Sequence, residues 1–228
     1  MTQTISNLTT KIISGQKRKT RLHDEKGNLI SLSKLLKHGP LSLVSGILRL
    51  TIDYRPELPW ISYEAIGVLR EFLSKESRVL EFGSGMSTIW YAKYAGEVCS
   101  VEDYRTWYDK VSKVLEKKQL DNVNYHFAEN HQEYKTFMAS DSDGFDLIMI
   151  DGKVRCECVK NAIKLLRSGG ILYLDNSDKY SSVGIGDIRL AEKYALEFAH
   201  KVGAKITYFT DLAPTQFFVQ QGLMIKVP

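Results

Sequence analysis

Between residues 79 and 103, the spacing of acids, hydroxyls and glycines suits the binding of a nucleoside. Val79 to Thr88 reads VLEFGSGMST: two apolar residues, Glu81, the turn Gly83-Ser84-Gly85, then Ser87-Thr88 opening a helical pattern. Glycines at such a turn let a strand bend sharply into a helix and let a ligand approach the backbone. The free N–H groups of the helix start then face the crevice. Roughly twenty residues beyond the turn, an acid at the tip of the second strand can accept hydrogen bonds from both ribose hydroxyls, and here EVCSV ends in Glu102-Asp103. A dinucleotide fingerprint carries a third glycine where this chain has Thr88, and Glu81 sets a negative charge against a pyrophosphate. Glu81 suits a cationic amino group, while the Ser87 and Thr88 hydroxyls suit a carboxylate. An amino-acid-bearing nucleoside has both.

Ligands of open α/β sheets lie beyond the carboxyl ends of the strands. The polar residues expected there are Glu81 and Gly83, Glu102, Ala128-Glu129, Asp151, and Asp175-Asn176. Asp151, Asp175 and Asn176 are oxygen-bearing side chains expected to converge from neighbouring strands. Lys153 and Arg155 stand close by as candidate base or substrate clamp.

The elements that must position these groups follow from periodicity. Strands are predicted at 79–82, 97–101, 123–128, 145–150 and 170–174, with helices between them at about 87–95, 105–118, 130–140 and 155–167. Such alternation gives parallel βαβ units with right-handed crossovers. A helix from Asp187 to Lys201 leads into KITYFTDL, and TQFFVQQGLMIKV closes the chain. The link Ala213-Pro214 is too short for a parallel crossover, so these last strands are expected to pair antiparallel. In the first 60 residues, SLSKLLKHGPLSLVSGILRL is helical in pattern, and Gly39-Pro40 is expected to break it in two.

These motifs together resemble the class I S-adenosylmethionine (SAM)-dependent methyltransferases: VLEFGSGMST as cofactor loop, SVEDY as ribose acid, FDLIMIDG as strand four and SGGILYLDN as strand five. LPWISYEAI, IDGKVRCEC and LDNSDKY are similar to a group of small-molecule methyltransferases. The resemblance covers about Pro59 to the C-terminus. It implies a Rossmann-like, seven-stranded, mostly parallel α/β sheet with one antiparallel C-terminal strand. The implied organisation is a helical cap over residues 1–60 and a catalytic domain over 61–228. The cofactor set is expected at Glu81, Gly83, Ser84, Gly85, Ser87, Thr88, Glu102, Ala128 and Asp151. Asp151, Asp175 and Asn176 resemble the Mg²⁺ site of catechol-type O-methyltransferases, where a hard dication would acidify an acceptor hydroxyl. That motif has a lysine three residues after its first Asp, where this chain has Val154. The catalytic candidates are Asp151, Lys153, Arg155 and Asp175. The loop 177–186, with Asp178, Lys179 and Tyr180, is placed to act as a substrate lid, and Trp60, Tyr63, Trp107 and Tyr108 are candidate pocket walls.

The implied activity is O-methylation of a small-molecule or sugar-like acceptor. A non-catalytic SAM-binding module is the alternative. A nicotinamide oxidoreductase is disfavoured by the missing third glycine and the closing hairpin, and the Asn/Asp-Pro-Pro-aromatic motif of amino-methylating enzymes is absent. Composition excludes little else: 43% apolar and 25% charged residues are ordinary for a globular chain. No run approaches the roughly 20 apolar residues of a membrane span, and the N-terminus does not read as a secretion signal, so a cytoplasmic location is expected. Cys99, Cys156 and Cys158 match no zinc spacing and read as reduced thiols. Residues 1–60 carry ten Lys/Arg against four Asp/Glu, while the remainder is slightly acidic. The cluster Lys17-Arg18-Lys19 and Arg21 reads as a solvated arm, with electrostatic capture of an anionic substrate, membrane surface or nucleic acid as the alternative. It has no interleaved aromatics to stack on nucleic-acid bases.

Overall fold

The computed structural model describes residues 18–179 and 186–228. Strands β1 (Arg78–Phe82), β2 (Glu97–Glu102) and β4 (Phe145–Ile150), with the last five residues of β5 (Leu166–Leu174), are almost wholly buried. Near-continuous apolar strands of this kind fit a parallel sheet covered on both faces. With β3 (Val123–Phe127), β6 (Lys205–Asp211) and β7 (Gln220–Lys226) they form one seven-stranded sheet in the order β3-β2-β1-β4-β5-β7-β6. Only β7 runs antiparallel, against both β5 and β6. The connection between β6 and β7 spans residues 212–219, longer than the Ala213-Pro214 link expected, and the pairing is antiparallel nonetheless.

Seven helices complete the described chain: α1 (Leu32–Ile52), α2 (Tyr63–Phe72), α3 (Met86–Tyr94), α4 (Arg105–Lys118), α5 (His131–Thr136), α6 (Arg155–Ala162) and α7 (Asp187–Val202). Alternate residues of each strand feed opposite core layers. Leu80, Phe82, Ile148 and Ile150 pack with Val159 of α6 and Ala195 of α7. Val79, Leu147 and Met149 pack with Leu69 of α2 and Tyr91 of α3. Strand order reverses between β1 and β4, and such a switch point opens a crevice at the carboxyl ends.

Two helices are shorter than expected. α5 ends at Thr136, and α6 ends at Ala162 ahead of Leu166–Arg167, which already belong to β5. Gly39-Pro40 does not break α1, which is continuous with Pro40 inside it. An interior proline costs about 3 kcal/mol, and contacts on both sides of it offset that cost. His38 Nδ1 lies 2.8 Å from the buried Asp211 carboxylate, Ser42 Oγ donates to Ala213 O at 3.3 Å, and Gly46 sits against the Phe217 ring. In the cationic cluster Arg18 and Arg21 are engaged with the protein, while Lys19 is exposed. Arg18 donates to Val219 O at 3.0 Å and pairs with Glu25 and Asp178, and Arg21 donates to Phe217 O. Lys17 lies outside the described residues.

Candidate cofactor and acceptor site

The turn after β1 has a steric reason of its own at Gly83. Its φ is +97°, and an added Cβ would stand 2.6 Å from the backbone N of Gly152, so side chains there are excluded whether or not a ligand binds. Gly85 differs. A Cβ there meets nothing closer than Ser87 Oγ at 3.6 Å, so among the described residues no protein atom demands a glycine. A ligand lying against the backbone would.

Glu102 ends β2 buried, with every lone-pair direction of its carboxylate engaged. Oε2 accepts from Ser84 N at 3.2 Å and Ser84 Oγ at 3.0 Å, and Oε1 from Asp103 N at 3.0 Å and Tyr104 N at 2.9 Å. Burial pushes its pKa up, and the same donors oppose that rise. The Ser84 hydroxyl has a second partner in Tyr125 OH at 2.7 Å, so it is the donor a diol could displace. Ala128, buried at the end of β3, donates its N–H to Glu102 O at 2.9 Å. Trp107 Nε1 donates to Ser84 O at 2.8 Å, and Tyr108 stacks on Tyr125 with centroids 4.5 Å apart. These aromatics therefore brace Glu102 and the turn.

Glu81 lies beneath the turn, with 1% of its surface exposed. Ser87 Oγ, Thr88 Oγ1 and Ser100 Oγ all donate to it, the last two at 2.6 Å. The Ser87 and Thr88 hydroxyls are thus spent on Glu81 and are not free for a ligand carboxylate, and Thr88 is fully buried. Burial, aided by the charge of Asp151, pushes the Glu81 carboxyl up to about 7. Ser100 was not among the expected site residues, although it lies directly beside Glu81 in the β1–β2 register. A polar residue in the otherwise apolar EVCSV was its signal.

At the end of β4, Asp151 N and Gly152 N both donate to Phe82 O, which fixes the loop beside the turn. Arg155 is buried and serves as a staple. Nε donates to Gly152 O at 2.8 Å, Nη1 to Asp175 O, and Nη2 to Asp151 O at 2.5 Å and Asp151 Oδ1 at 3.1 Å. A guanidinium so engaged, with no accessible deprotonated form, is neither base nor substrate clamp. Lys153 is largely exposed and reaches across to Asp103 at 3.1 Å. Asp175 is buried, and its Oδ1 has no hydrogen-bond partner. Burial first, then the neighbouring Asp151 charge, raise its pKa well above the carboxylate range. Beneath the pair lie the fully buried hydroxyls of Tyr91 and Tyr173, both without partners. Nothing local in the sequence marks them as part of the site.

The expected Mg²⁺ site does not form. Asn176 Oδ1 accepts from Lys179 Nζ, and Asp151 Oδ1 from Arg155, so two protein cations already occupy oxygens that a dication would use. Among the described residues no group of three His, Cys, Asp or Glu side chains is placed to hold a metal. Of the loop 177–186, Ser177 and Asp178 are buried. Asp178 accepts from Glu25 N and Gln221 N, which makes it a structural anchor. Tyr180 lies outside the described residues. Trp60 carries the Arg49 guanidinium 4.4 Å above its ring, and Tyr63 packs 5.3 Å from His38, so both wall α1 against the sheet.

No protein-family model matches this sequence, and no curated protein does. Solved structures do match. A cofactor-bound protein from MTB aligns with a TM-score of 0.61 at 20% identity, over 82% of this chain and 97% of the other. An O-methyltransferase of Streptomyces achromogenes in complex with SAM aligns at 0.57 and 17%, over 86% and 95%. An rRNA methylase of Streptococcus thermophilus aligns at 0.54 and 16%, over 72% and 95%. The fold is that of the class I SAM-dependent methyltransferases.

Proposed function

We propose that this chain is a SAM-dependent methyltransferase acting on a hydroxyl oxygen of a small-molecule acceptor, without a metal. The observation that supports it most is the pairing of two different sites on one sheet edge. A glycine turn and a donor-saturated ribose acid lie on one side of the switch point, and the Asp151–Asp175 carboxyl pair lies on the other. Bound SAM supplies a methyl group already activated on a sulfonium. The protein must then hold the acceptor in line and take up one proton. Glu102 and Ser84 hold the ribose. The backbone at Gly85 lies against the cofactor. Asp151, the more exposed carboxylate, receives the acceptor proton, while Asp175 stays protonated beside it and stabilises the charge that Asp151 carries between turnovers. Arg155 fixes the distance between the two by gripping both backbones.

Two positive-φ residues without glycine's freedom flank this pair, Val154 at 42° and Asn176 at 54°. Strain of this kind is retained where the surrounding structure over-determines it, and it clusters at active sites. Arg18 and Arg21 are turned onto backbone carbonyls of the protein and are not offered to a polynucleotide.

Calorimetry should show binding of SAM and S-adenosylhomocysteine and weaker binding of NADH. Methyl transfer from labelled SAM to hydroxylated acceptors in cell extract should persist in excess chelator. In Asp175→Asn, turnover should fall about a hundredfold or more with SAM affinity unchanged. Tighter binding of NADH than of SAM would overturn the cofactor assignment. Loss of activity in chelator, restored by Mg²⁺, would overturn the metal-free pair.

A further inference from the structure

α1 is turned inside out relative to an ordinary surface helix. Its buried residues are His38, Ser42 and Gly46, while Leu32, Leu36, Leu43, Ile47 and Leu50 are each 47–76% exposed. At 3.6 residues per turn those five fall on one continuous stripe, and the exposed Val44 widens it. The resulting apolar face is roughly 600–700 Å², at or above the largest patch of a typical monomer. Tyr54, half exposed, stands just beyond its C-terminal end.

The charge that α1 itself carries has one sign. α1 contains Lys34, Lys37 and Arg49 and no acid. The acids bordering it are engaged: Asp53 by Arg55 and Lys110, Glu64 by Lys34, and Asp211 by His38. Lys37 of α1 remains exposed. Helix-on-helix pairing uses a narrow apolar seam flanked by complementary charges. A second copy would bring together two wide faces of like sign. An anionic lipid surface instead complements both features, the apolar stripe entering the acyl boundary and the lysines meeting phosphate. No helix among the described residues is long and apolar enough to cross a membrane, so the contact is in-plane.

We propose that the outward face of α1 docks this protein on an anionic bilayer. The same helix reaches the cofactor edge. Three residues beyond its end, Arg55 lies 5.1 Å above the Trp107 ring, whose indole braces Ser84. Docking therefore sets the cofactor edge close to the membrane surface. The contact stands on α1 alone and is independent of the chemistry proposed for the site.

The test is flotation of the full-length protein with vesicles of phosphatidylglycerol mixed with phosphatidylcholine, and with phosphatidylcholine alone. Wild type should float with the anionic vesicles, less with the neutral ones, and less at high salt. The triple variant Leu36→Gln, Leu43→Gln, Ile47→Gln should partition at least tenfold less. Its thermal melting and SAM titration, both unchanged, would show that the fold is intact. Absence of vesicle binding, or binding indifferent to the triple variant, overturns the proposal. A dimer in sedimentation that the triple variant dissolves would assign the face to a second copy. Vesicle binding that appears only after residues 1–17 are removed would assign it to that segment.

Discussion

On the β1–β3 side of the switch point, buried Glu102 meets four donors, three of them backbone N–H groups. On the β4–β5 side, Asp175 is equally buried and has an oxygen with none. Burial raises both pKa values. At Glu102 the donors pull back toward the charged form, which is what a hydrogen-bond acceptor for a ribose requires. At Asp175 the Asp151 carboxylate pushes the same way as burial, and Arg155 opposes it. The protein thus directs three backbone N–H groups at the acid proposed to hold the ribose, and at the acid proposed to keep a proton it leaves one oxygen without a donor. Its one cation at the second acid, Arg155, is directed mainly to carbonyl oxygens.

The most severe way to break this contrast is to remove Arg155. Arg155→Met keeps the stem but strips donors from three buried or half-buried carbonyls, and breaking a buried polar network of this kind costs about 3–5 kcal/mol. Denaturant unfolding should show that loss. Arg155→Lys should recover only part of it, because an ammonium lacks the planar fork. Lys153→Met, removing an exposed ion pair to Asp103, should change stability by less than about 1 kcal/mol. Equal effects at 153 and 155 would show that Arg155 is not the staple.

A smaller effect sharpens the other half. Glu102→Gln keeps the shape but not the charge, and it turns two acceptors into an acceptor and a donor facing backbone N–H groups. SAM affinity should fall by about ten- to a hundredfold, the range of a lost charge-assisted pair, with turnover at saturation little changed. A fall in turnover at saturating SAM matching that of Asp175→Asn would mean that the two halves do not divide binding from proton handling.

The half that binds was the more legible in the sequence, for a physical reason. Its groups lie within one βαβ unit, so the turn, the strand tip and Glu102 are fixed by local spacing, and the sheet follows from alternation. The proton-handling half depends on where side chains go after two separate crossovers. Asp151 and Asp175 could be placed at strand ends, but a basic residue in the loop after a strand reads as solvated, and nothing local announced that Arg155 folds back onto three carbonyls. Lys179 taking Asn176, and Arg155 taking Asp151, likewise undid a metal trio that strand ends alone suggested. At α1 the rule that proline ends a helix gave way to long-range contacts with residues 211–217, which no window of sequence contains.

The smallest expected effect concerns Glu81, which sits on β1 between the halves. Its carboxyl is pushed up to about 7 in the fold from an ordinary 4.5. A raised folded pKa means that its contribution to stability is full below about pH 4.5 and is lost as pH rises to about 7, after which it is flat. The apo protein should therefore lose melting temperature over that window relative to Glu81→Gln, which has nothing to titrate there. Cofactor affinity should move oppositely. A cationic amino group lying over Ser87 is favoured by the ionised carboxylate beneath it, so SAM binding should strengthen severalfold, and by less than about tenfold, as pH rises through 7. Because Glu81 is sealed under Ser87 and Thr88, it acts through an oriented hydroxyl and a field, not by contact, which keeps the effect below that of Glu102. Parallel pH profiles for wild type and Glu81→Gln, in melting and in calorimetry, would show that Glu81 only braces the turn and belongs to neither half.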